Sequence, residues 1–489
     1  MAAACAAAVA LSWAVSRLHL EPGSLLAAGA AAAAVALLFA VRPAEGLGAF
    51  LLFSLLANTT QYLLKTDLFY FDEIGLLFFV PIAVVRYGVP NGRFRLGTAE
   101  IALTAVAVAG VTSSLANAVP FGIWFPGLLL LMKGVFFFYL VAWLPLRIEE
   151  VIRVGVVIVA VATGLLALGF VELVNPAAFQ RAVGLPLYEA SRGGIPVIKS
   201  LFLHPGVLGW MAAFIGLFMY VRYLVTRSWW SLALGMAMTV GSLLSGRRTP
   251  ILGLLIGLAV GAAWLWLRRP ASRALFRSAL LPVAAVAVVA VVLAGVAGLY
   301  TNTLKEYRDS GRALVEILSD HRDPAKFARV APRTVLYATS VAIARDHFPL
   351  GAGLGRFGSY MSRREYSPVY HEYGLDRVAA LTPDNPVAID DTFWPAVLGE
   401  TGPIGLAGFL TFIITVLARL WRAIPISPSP AWLALALGAL VTFVQGIVAS
   451  LTAATYVAPP IAYFVFAAAG VVLAIGAGEG HHRDAVAPS

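Results

Sequence analysis

The chain alternates long apolar blocks with short stretches that contain Pro, Gly and charged residues. Each block is close to the length of about 20 apolar residues that an α-helix needs to cross a bilayer. The pattern therefore predicts about fourteen membrane spans, at residues 2–18, 23–41, 46–64, 73–87, 98–119, 125–145, 151–173, 205–224, 228–244, 249–267, 278–300, 392–418, 431–453 and 456–477. A signal peptide is the alternative for the first block, which is short and rich in alanine but lacks a basic start.

Two long polar stretches, 174–204 and 301–391, interrupt this pattern. The second has about ninety residues, with many Arg, Asp, Glu, Tyr and His. A loop of this size is usually functional rather than a simple connector. Within it, helical apolar spacing predicts helices at Ala313–Leu318 and Val335–Ala344. Three prolines break the rest into irregular structure: Pro368, Pro383 and Pro386.

Composition supports an integral membrane protein. Hydrophobic residues make up 60% of the 489 residues and charged residues 12%, and the mean hydropathy is +0.86. A soluble domain has about 45–50% apolar and about 25% charged residues, so this chain lacks the polar surface that water requires. The fold class predicted is all-α, a polytopic transmembrane bundle. A disordered chain, a nucleic-acid reader and a disulfide scaffold are excluded, the last because Cys5 is the only cysteine.

The formal net charge of +10 is mostly a topology signal, because short cytoplasmic loops carry an excess of Lys and Arg. One set of alternate loops holds most of the basic residues: Arg42, Arg86, Arg93, Arg95, Arg147, Arg153, Arg222, Arg227, Arg268, Arg269, Arg273, Arg277, Arg419 and Arg422. The other set of short loops holds Arg17, Lys65, Arg247 and Arg248. This asymmetry predicts cytoplasmic termini, an even number of spans, and an extracytoplasmic position for both long loops.

Arg247 and Arg248 break the charge rule, since they lie at an outer boundary between two apolar helices. Thr249 and Pro250 are typical of an N-cap and a first helical turn. Arginine forks beside a helix N-terminus suit a phosphate or a diphosphate. The alternative is that both arginines reach outward to lipid headgroups.

Lys133 lies about two turns inside the outer end of its predicted span. A lysine at that depth is costly unless it faces a polar cavity or pairs with an acid. Glu172, near the outer end of the next span, is one candidate partner; the functional alternative is that Lys133 lines an outward vestibule and meets an anionic ligand.

The first long loop carries further cations, including Arg181, Arg192 and Lys199, before His204-Pro205-Gly206 opens the next span. Proline in the first turn of a helix is ordinary helix-start chemistry. The cations just upstream are therefore the candidates for binding an anionic substrate.

The second long loop ends with Asp384, Asp390 and Asp391, followed by Thr392-Phe393-Trp394-Pro395 and a glycine-containing run. An Asp-Asp-Thr sequence before a helix is a common N-cap. The functional alternative is a general base at the membrane boundary, opposite the arginines. Neither a metal-ligand spacing nor a phosphate-binding Gly-x-x-x-x-Gly-Lys motif occurs in the sequence, so no cofactor and no metal are expected.

Three segments together resemble the O-antigen ligase and O-antigen polymerase superfamily. Ser245-Gly246-Arg247-Arg248-Thr249 looks like the family's Ser-Arg-Thr/Gly element, with Arg248 in the place of the family arginine. Ser200–Gly209 is similar to a Phe-x-(His/Asn)-Pro-Asn-x-Leu-Gly segment, with Gly206 in place of the Asn. His347–Phe357, which includes Arg356, closely resembles the family's His-Pro-Leu-x-Gly-x-Gly-x-x-x-Phe run.

The resemblance extends to the end of the second loop, with one departure. Family ligases carry a His, then Asn, Ser or Gln, then nine further residues and then Gly-x-x-Gly; counting back from Gly402 and Gly405 puts Asp391 at the histidine and Thr392 at the Asn. Structurally related peptidoglycan polymerases use an outer-loop aspartate. The substitution therefore favours a polymerase or a divergent transferase over a standard lipopolysaccharide ligase.

The resemblance implies a glycosyltransferase of the cytoplasmic (inner) membrane. It would join an undecaprenyl-diphosphate-linked glycan to a glycan or glycolipid acceptor on the extracytoplasmic face. The catalytic residues expected are Asp391 and Arg248, and the substrate-binding residues expected are Arg247, Lys133, Arg192, Lys199, His204, Arg356 and Asp390. Four regions follow, namely N-terminal spans and first loop (1–200), spans with the arginine motif (201–300), large loop (301–391) and C-terminal spans with a short tail (392–489).

The rival function is a polysaccharide-lipid flippase or a secondary transporter, and a purely structural membrane protein is a third. A transporter should carry ionisable groups near the membrane midplane, whereas this chain concentrates them at one boundary. The sequence also lacks the inverted pair of broken spans that is typical of many transporters. Donor sugar, linkage, acceptor and oligomeric state do not follow from the sequence.

Overall fold

The computed structural model describes residues 37–64, 76, 84–88, 97–188, 191–192, 195–268, 331–424 and 429–486. The longer helices in these ranges are α1 (Pro43–Leu64), α2 (Thr98–Ala116), α3 (Phe121–Trp143), α4 (Ile148–Val174), α5 (Pro176–Ala182), α6 (Pro205–Thr226), α7 (Trp229–Leu244), α8 (Arg248–Arg268), α9 (Pro332–Asp346), α10 (Tyr360–Arg364), α11 (Val369–Glu372), α12 (Trp394–Ala423), α13 (Pro430–Ser450) and α14 (Ile461–Val486). A π-helix at Val84–Gly88, a 3₁₀ turn at Leu375–Arg377 and a two-stranded antiparallel hairpin, β1 (Ser191–Arg192) with β2 (Ile195–Pro196), complete the described elements.

Ten of the predicted spans coincide with helices α1–α4, α6–α8 and α12–α14. Within the described part of the chain, seven helices are long and apolar enough to cross a membrane: α2, α3, α4, α6, α8, α12 and α13. The predicted spans 2–18 and 278–300, and most of 23–41 and 73–87, lie outside the described residues. A multi-pass helical membrane protein is thus confirmed, and the total of about fourteen spans stays a prediction.

The helices pack around a continuous apolar core. α12 lies along α2, α7 along α6, and α14 along α3. Near one end of the bundle an aromatic cluster surrounds Tyr456, whose ring lies 5.2 Å from that of Phe393 and 5.5 Å from that of Phe466. At the other end, Arg419 of α12 pairs with Glu100 of α2 at 3.5 Å. The start of α12 therefore lies at the end of the bundle that holds Tyr456, and the end of α12 lies beside the start of α2.

The described part of the large loop, residues 331–393, has a small apolar core of its own. Val335, Leu336 and Ile343 of α9 pack there with Phe357 and Tyr370, all fully buried. The predicted helix at Val335–Ala344 is confirmed by α9, whereas the predicted helix at Ala313–Leu318 lies outside the described residues. Pro368 precedes the short helix α11, and the segment that holds Pro383 and Pro386 is irregular, as predicted.

The glycine-rich run of this loop docks on an interruption in α12. Gly402 has a positive φ of 70°, which splits the helix, and Pro403 has no N–H to donate to the carbonyl of Gly399 four residues earlier. The N–H of Ala352 donates to that carbonyl instead, at 2.8 Å, and the N–H of Gly353 donates to the carbonyl of Glu400 at 3.1 Å. Backbone N–H groups of the loop thus donate to two carbonyls of α12 at this interruption.

The docking of the loop on α12 also explains why residue 402 is a glycine. A Cβ at this position would lie 2.4 Å from the carbonyl carbon of Leu350. We expect Gly402→Ala to lower stability by roughly 1–2 kcal/mol for the left-handed backbone and by roughly 1–3 kcal/mol more for the overlap. Thermal unfolding in detergent measures this, with Gly164→Ala as the control, because a Cβ on Gly164 of α4 meets nothing within 4 Å. Equal unfolding temperatures for the two variants would contradict the interrupted helix.

Candidate functional site

A cleft of about 1030 Å³ lies where the large loop meets the ends of the spanning helices. The start of α6, the start of α8 and the segment 449–461 between α13 and α14 form one part of its wall. The loop contributes the start of α9 and residues 387–391. The described residues that line it include four arginines and two aspartates: Arg247, Arg248, Arg333, Arg363, Asp390 and Asp391.

The cations on the helix side come from two helix starts. Arg247 immediately precedes α8, and Arg248 is its first residue. The turn before them contains Gly246 with a φ of 67°, which lets α7 reverse directly into α8. The predicted N-cap at Thr249 is wrong by two residues, because the helix begins earlier and the Thr249 hydroxyl instead hydrogen-bonds the Thr452 hydroxyl at 2.7 Å.

His204 caps α6, and the start of this helix at Pro205 is confirmed. Its Nδ1 accepts a hydrogen bond from the N–H of Gly206 at 3.1 Å, while its Nε2 contacts Nη2 of Arg247. Desolvation in the cleft, and then the Arg247 guanidinium, lower the pKa of His204 to about 4. The imidazole is therefore neutral at physiological pH.

These two contacts of His204 compete for one acceptor. A neutral imidazole has one nitrogen that accepts and one that donates, whereas the Gly206 amide and the Arg247 guanidinium both donate. An anion between the two side chains would remove the conflict. It would accept from Nε2–H and from the guanidinium, and Nδ1 would remain the acceptor of the amide.

The two aspartates on the loop side are each held by a different arginine. Asp391 accepts from Nη2 of Arg333 at 2.8 Å, and both side chains are about two-fifths exposed, at 45% and 40%. Asp390 accepts from Nη1 of Arg363 at 3.0 Å. Desolvation raises the pKa of Asp390 above its ordinary value, although Arg363 opposes this. Tyr337 of α9 holds the loop to the cleft wall by donating to the carbonyl of Leu451 at 2.9 Å.

The structure does not support the capping alternative for Asp391 and Thr392. The N-cap of α12 is Phe393, and no side chain caps this helix. The buried Thr392 hydroxyl has no hydrogen-bond partner among the described residues. Asp391 is engaged by Arg333 and faces the cleft.

Five residues predicted for the site from the sequence line the cleft together: His204, Arg247, Arg248, Asp390 and Asp391. Lys133, Lys199 and Arg356 are not among the described residues that line it. Lys133 is 5% exposed within α3, and Arg356 is half-buried in the loop. The Arg192 backbone belongs to β1, and its side chain is outside the described part of the molecule.

Lys199 is buried in a local network rather than facing the cleft. Its Nζ donates to the carbonyl of Pro186 at 2.8 Å, and its N–H donates to Oε2 of Glu172 at 2.8 Å. The same carboxylate accepts from the N–H of Ser200 at 2.7 Å and from the Gln180 amide at 2.8 Å. Glu172 thus anchors the segment that leads into α6.

Sequence reasoning missed Arg333, Arg363 and Tyr337. Arg333 lies in the first turn of a helix that the sequence predicts, directly after Pro332, so its position beside a helix start was a usable signal. Arg363 and Tyr337 carry no local signal, because only the tertiary contacts with Asp390 and with Leu451 bring them to the cleft.

The family comparison covers part of the chain that forms this cleft. No curated protein matches the chain. Residues 233–410 match the family described as O-antigen ligase, a range that runs from within α7 to about the middle of α12 and includes Arg247, Arg248, Arg333 and both aspartates. The resemblance predicted from the motifs is therefore confirmed over residues 233–410, which are similar to the O-antigen ligase family.

Proposed function

We propose that the protein transfers a glycan from a polyprenyl-diphosphate donor to a hydroxyl group of a glycan acceptor, at the extracytoplasmic face of the inner membrane. The family match supports a membrane protein of surface-polysaccharide synthesis. The observation that carries the proposal further is the cleft, which holds cations and carboxylates together at the ends of spanning helices.

The charge of the cleft suits a diphosphate. Four arginines and two aspartates line it, so the described lining holds two more guanidinium groups than carboxylates. Arg247 and Arg248 lie together at the start of α8. The competing contacts of His204 also favour an anion at this point. We therefore assign the diphosphate to the space between Arg248, Arg247 and His204.

The cleft also has an apolar part of its wall close to these cations. Small and apolar residues line the cleft beside them, including Ala453, Ala454, Ala458 and Ile461. A polyprenyl tail is apolar along its whole length, so it gains free energy by lying against this surface and the adjoining lipid. The diphosphate then remains at the boundary, where the arginines reach it.

The reaction requires one bond to form and one to break. The acceptor hydroxyl oxygen attacks the anomeric carbon of the donor sugar as the bond from that carbon to the diphosphate oxygen breaks. A cleft carboxylate takes the hydroxyl proton, and we assign this role to Asp391. The negative charge that grows on the departing diphosphate is stabilised by Arg248, with Arg247 and Arg333 beside it. The proposal uses no metal and no nucleotide.

The direct test is turnover by the reconstituted protein. A purified polyprenyl-diphosphate oligosaccharide is added to proteoliposomes, and glycan extension and release of polyprenyl diphosphate are measured together. Both products are expected in equal amounts. Movement of the lipid-linked glycan across the membrane without bond cleavage would instead support the flippase alternative.

The membrane orientation of the loop can be tested with single cysteines. Residues 331–393 and the ends of α6, α8 and α12 that carry the cleft lie at one end of the bundle, and Arg147, Arg222 and Arg419 lie near the opposite helix ends. We expect the loop end to be extracytoplasmic. In a Cys5→Ser background, Ala379→Cys should react with a membrane-impermeant thiol reagent in intact cells, because Ala379 is exposed on the loop.

The matched control for this topology test is Glu149→Cys, an exposed position in the first turn of α4 at the other end. It should react only after the cytoplasmic side is opened. The reverse pattern would remove the proposed orientation and the extracytoplasmic reaction with it.

A further inference from the structure

A second cavity, of about 760 Å³, lies at the opposite end of the bundle from the cleft. Helix α6 connects the two, because His204 at its start lines the cleft and Thr226 at its end lines the second cavity. The 22 residues of this helix span about 33 Å, close to the hydrocarbon thickness of a bilayer, about 30 Å. The second cavity therefore opens near the other membrane boundary.

The walls of this cavity are almost entirely apolar. They come from α1, α4, α6, α7, α13 and α14, and they include Leu51, Ile158, Phe214, Phe218 and Phe464. On α6 the lining runs from Phe214 to Thr226, which is a depth of about 18 Å along the helix axis. That depth is about half of the hydrocarbon core, the length of one lipid leaflet.

The cavity is open to the side, as a groove rather than an enclosed void. Several of its lining residues are exposed at the bundle surface, among them Ile152 at 41%, Val156 at 55% and Trp230 at 87%. A tryptophan at this height is typical of the membrane–water boundary. Lipid molecules can therefore enter the groove directly from the surrounding membrane.

Arg222 lies at the mouth of the groove and is the only charged residue among the described residues that line it. Among the described residues, no carboxylate lies within ion-pair distance of its guanidinium. Ser228, the N-cap residue of α7, lines the same groove, and its side chain makes no cap hydrogen bond. A positive side chain, an available hydroxyl and the start of a 16-residue helix thus meet at the apolar groove.

We propose that this groove binds an anionic phospholipid. Its phosphate pairs with Arg222 at the mouth, and one acyl chain lies between α4 and α6. The positive charge at the mouth selects an anionic over a zwitterionic headgroup, and the leaflet-long apolar walls suit an acyl chain. The proposal does not depend on the glycosyltransferase function, because the groove and the cleft lie at opposite ends of α6.

Native mass spectrometry provides the test. The full-length protein is released from nanodiscs that contain equal amounts of phosphatidylglycerol and phosphatidylcholine, and the lipid retained per protein is counted. The wild-type protein should retain phosphatidylglycerol preferentially. Arg222→Gln should weaken this retention about fivefold, the effect expected for one basic residue at a membrane surface. Arg222 is exposed, so this variant should fold normally.

A matched pair of variants tests the acyl-chain groove. Gly155 and Gly164 both lie on α4, and a Cβ on either would meet nothing within 4 Å, but only Gly155 lines the groove. Gly155→Trp should fill the groove and abolish preferential retention, and Gly164→Trp should leave it unchanged.

Three results would overturn the proposal. Equal retention of the two lipids by the wild-type protein would contradict selectivity for the anionic headgroup. Equal loss of phosphatidylglycerol retention in both tryptophan variants would contradict binding in this groove. Displacement of phosphatidylglycerol by added polyprenyl phosphate, lost in Gly155→Trp, would make the carrier lipid the occupant. None of these readings uses glycan transfer, so they are independent of the proposed reaction.

Discussion

Asp391→Asn should lower turnover about 100- to 10,000-fold, the usual loss when a general base is removed. The substitution keeps the shape of the side chain and leaves an oxygen that still accepts from Arg333. The ion pair it disrupts is solvent-exposed, and such a pair contributes only about 0–1 kcal/mol. Fold and expression should therefore be retained, and the loss should appear in the rate of glycan transfer by the reconstituted protein.

Two variants of the same loop accompany this measurement. Asp384→Asn is the control, because Asp384 is exposed and is not among the residues that line the cleft. Its turnover should equal that of the wild type. If Asp390→Asn abolishes turnover while Asp391→Asn retains it, the base is Asp390 and the position inferred from the family histidine is wrong.

The pH dependence of turnover tests whether Asp390 is the base. Desolvation raises the pKa of Asp390, so a reaction that needs its ionised form should lose rate on acidification at a higher pH than an ordinary aspartate would give. The pKa of His204 is lowered to about 4, so the imidazole adds no titration near pH 6.5 but titrates in the range of an ordinary aspartate. The acid limb is therefore compared between the wild type and Asp390→Asn. The acid limb of kcat/KM is the quantity to measure.

Arg248→Ala should raise the activation free energy by about 2–4 kcal/mol, or ~30- to 1,000-fold in turnover, as for a lost charge-stabilising donor. The physical reason is that the charge on the departing diphosphate grows as the glycosidic bond breaks. Arg248→Lys should also be strongly impaired, because it keeps the charge but loses the two-pronged hydrogen bonding of the guanidinium.

Arg345→Ala is the matched control for the arginine variants. Arg345 is an exposed arginine in the last turn of α9 and is not among the residues that line the cleft. It should leave turnover unchanged at a normal protein level. Normal turnover in Arg248→Ala would favour the alternative that Arg247 and Arg248 interact with lipid headgroups.

The apolar pattern predicts most of the described spanning helices because a helix in lipid must satisfy its own backbone hydrogen bonds and cover itself with apolar side chains. Local chemistry also predicts the start of α6 at Pro205 and the loop helix α9. The starts of α8 and α12 are predicted less well. Thr249 and Thr392 have the chemistry of caps, but tertiary contacts give Thr249 a different partner, and α12 begins only after Phe393.

The site is only partly predictable for the same physical reason. The arginines at the start of α8 and the aspartates before α12 can be identified from the sequence, because charge at the end of an apolar helix is unusual. The residues that pair with these aspartates cannot be identified in this way. Arg333 and Asp391 are 58 residues apart in sequence, and only the docking of the loop brings them to 2.8 Å. The depth of Lys133 indicates a polar role, yet depth alone does not specify which cavity it faces.

The exchange of hydrogen bonds at Gly399 and Pro403 bears on how the protein is made. The carbonyls of Gly399 and Glu400 accept from the N–H groups of Ala352 and Gly353, which precede them in the chain. The loop and α12 therefore each satisfy backbone hydrogen bonds of the other. A loop fragment expressed alone would leave these amides without their acceptors, and α12 inserted without the loop would expose two bare carbonyls near the lipid boundary. The loop precedes α12 in the chain, so it is synthesised before α12. The loop can therefore dock only after α12 has been made, and the cleft is complete only after the later segment 449–461 has joined it.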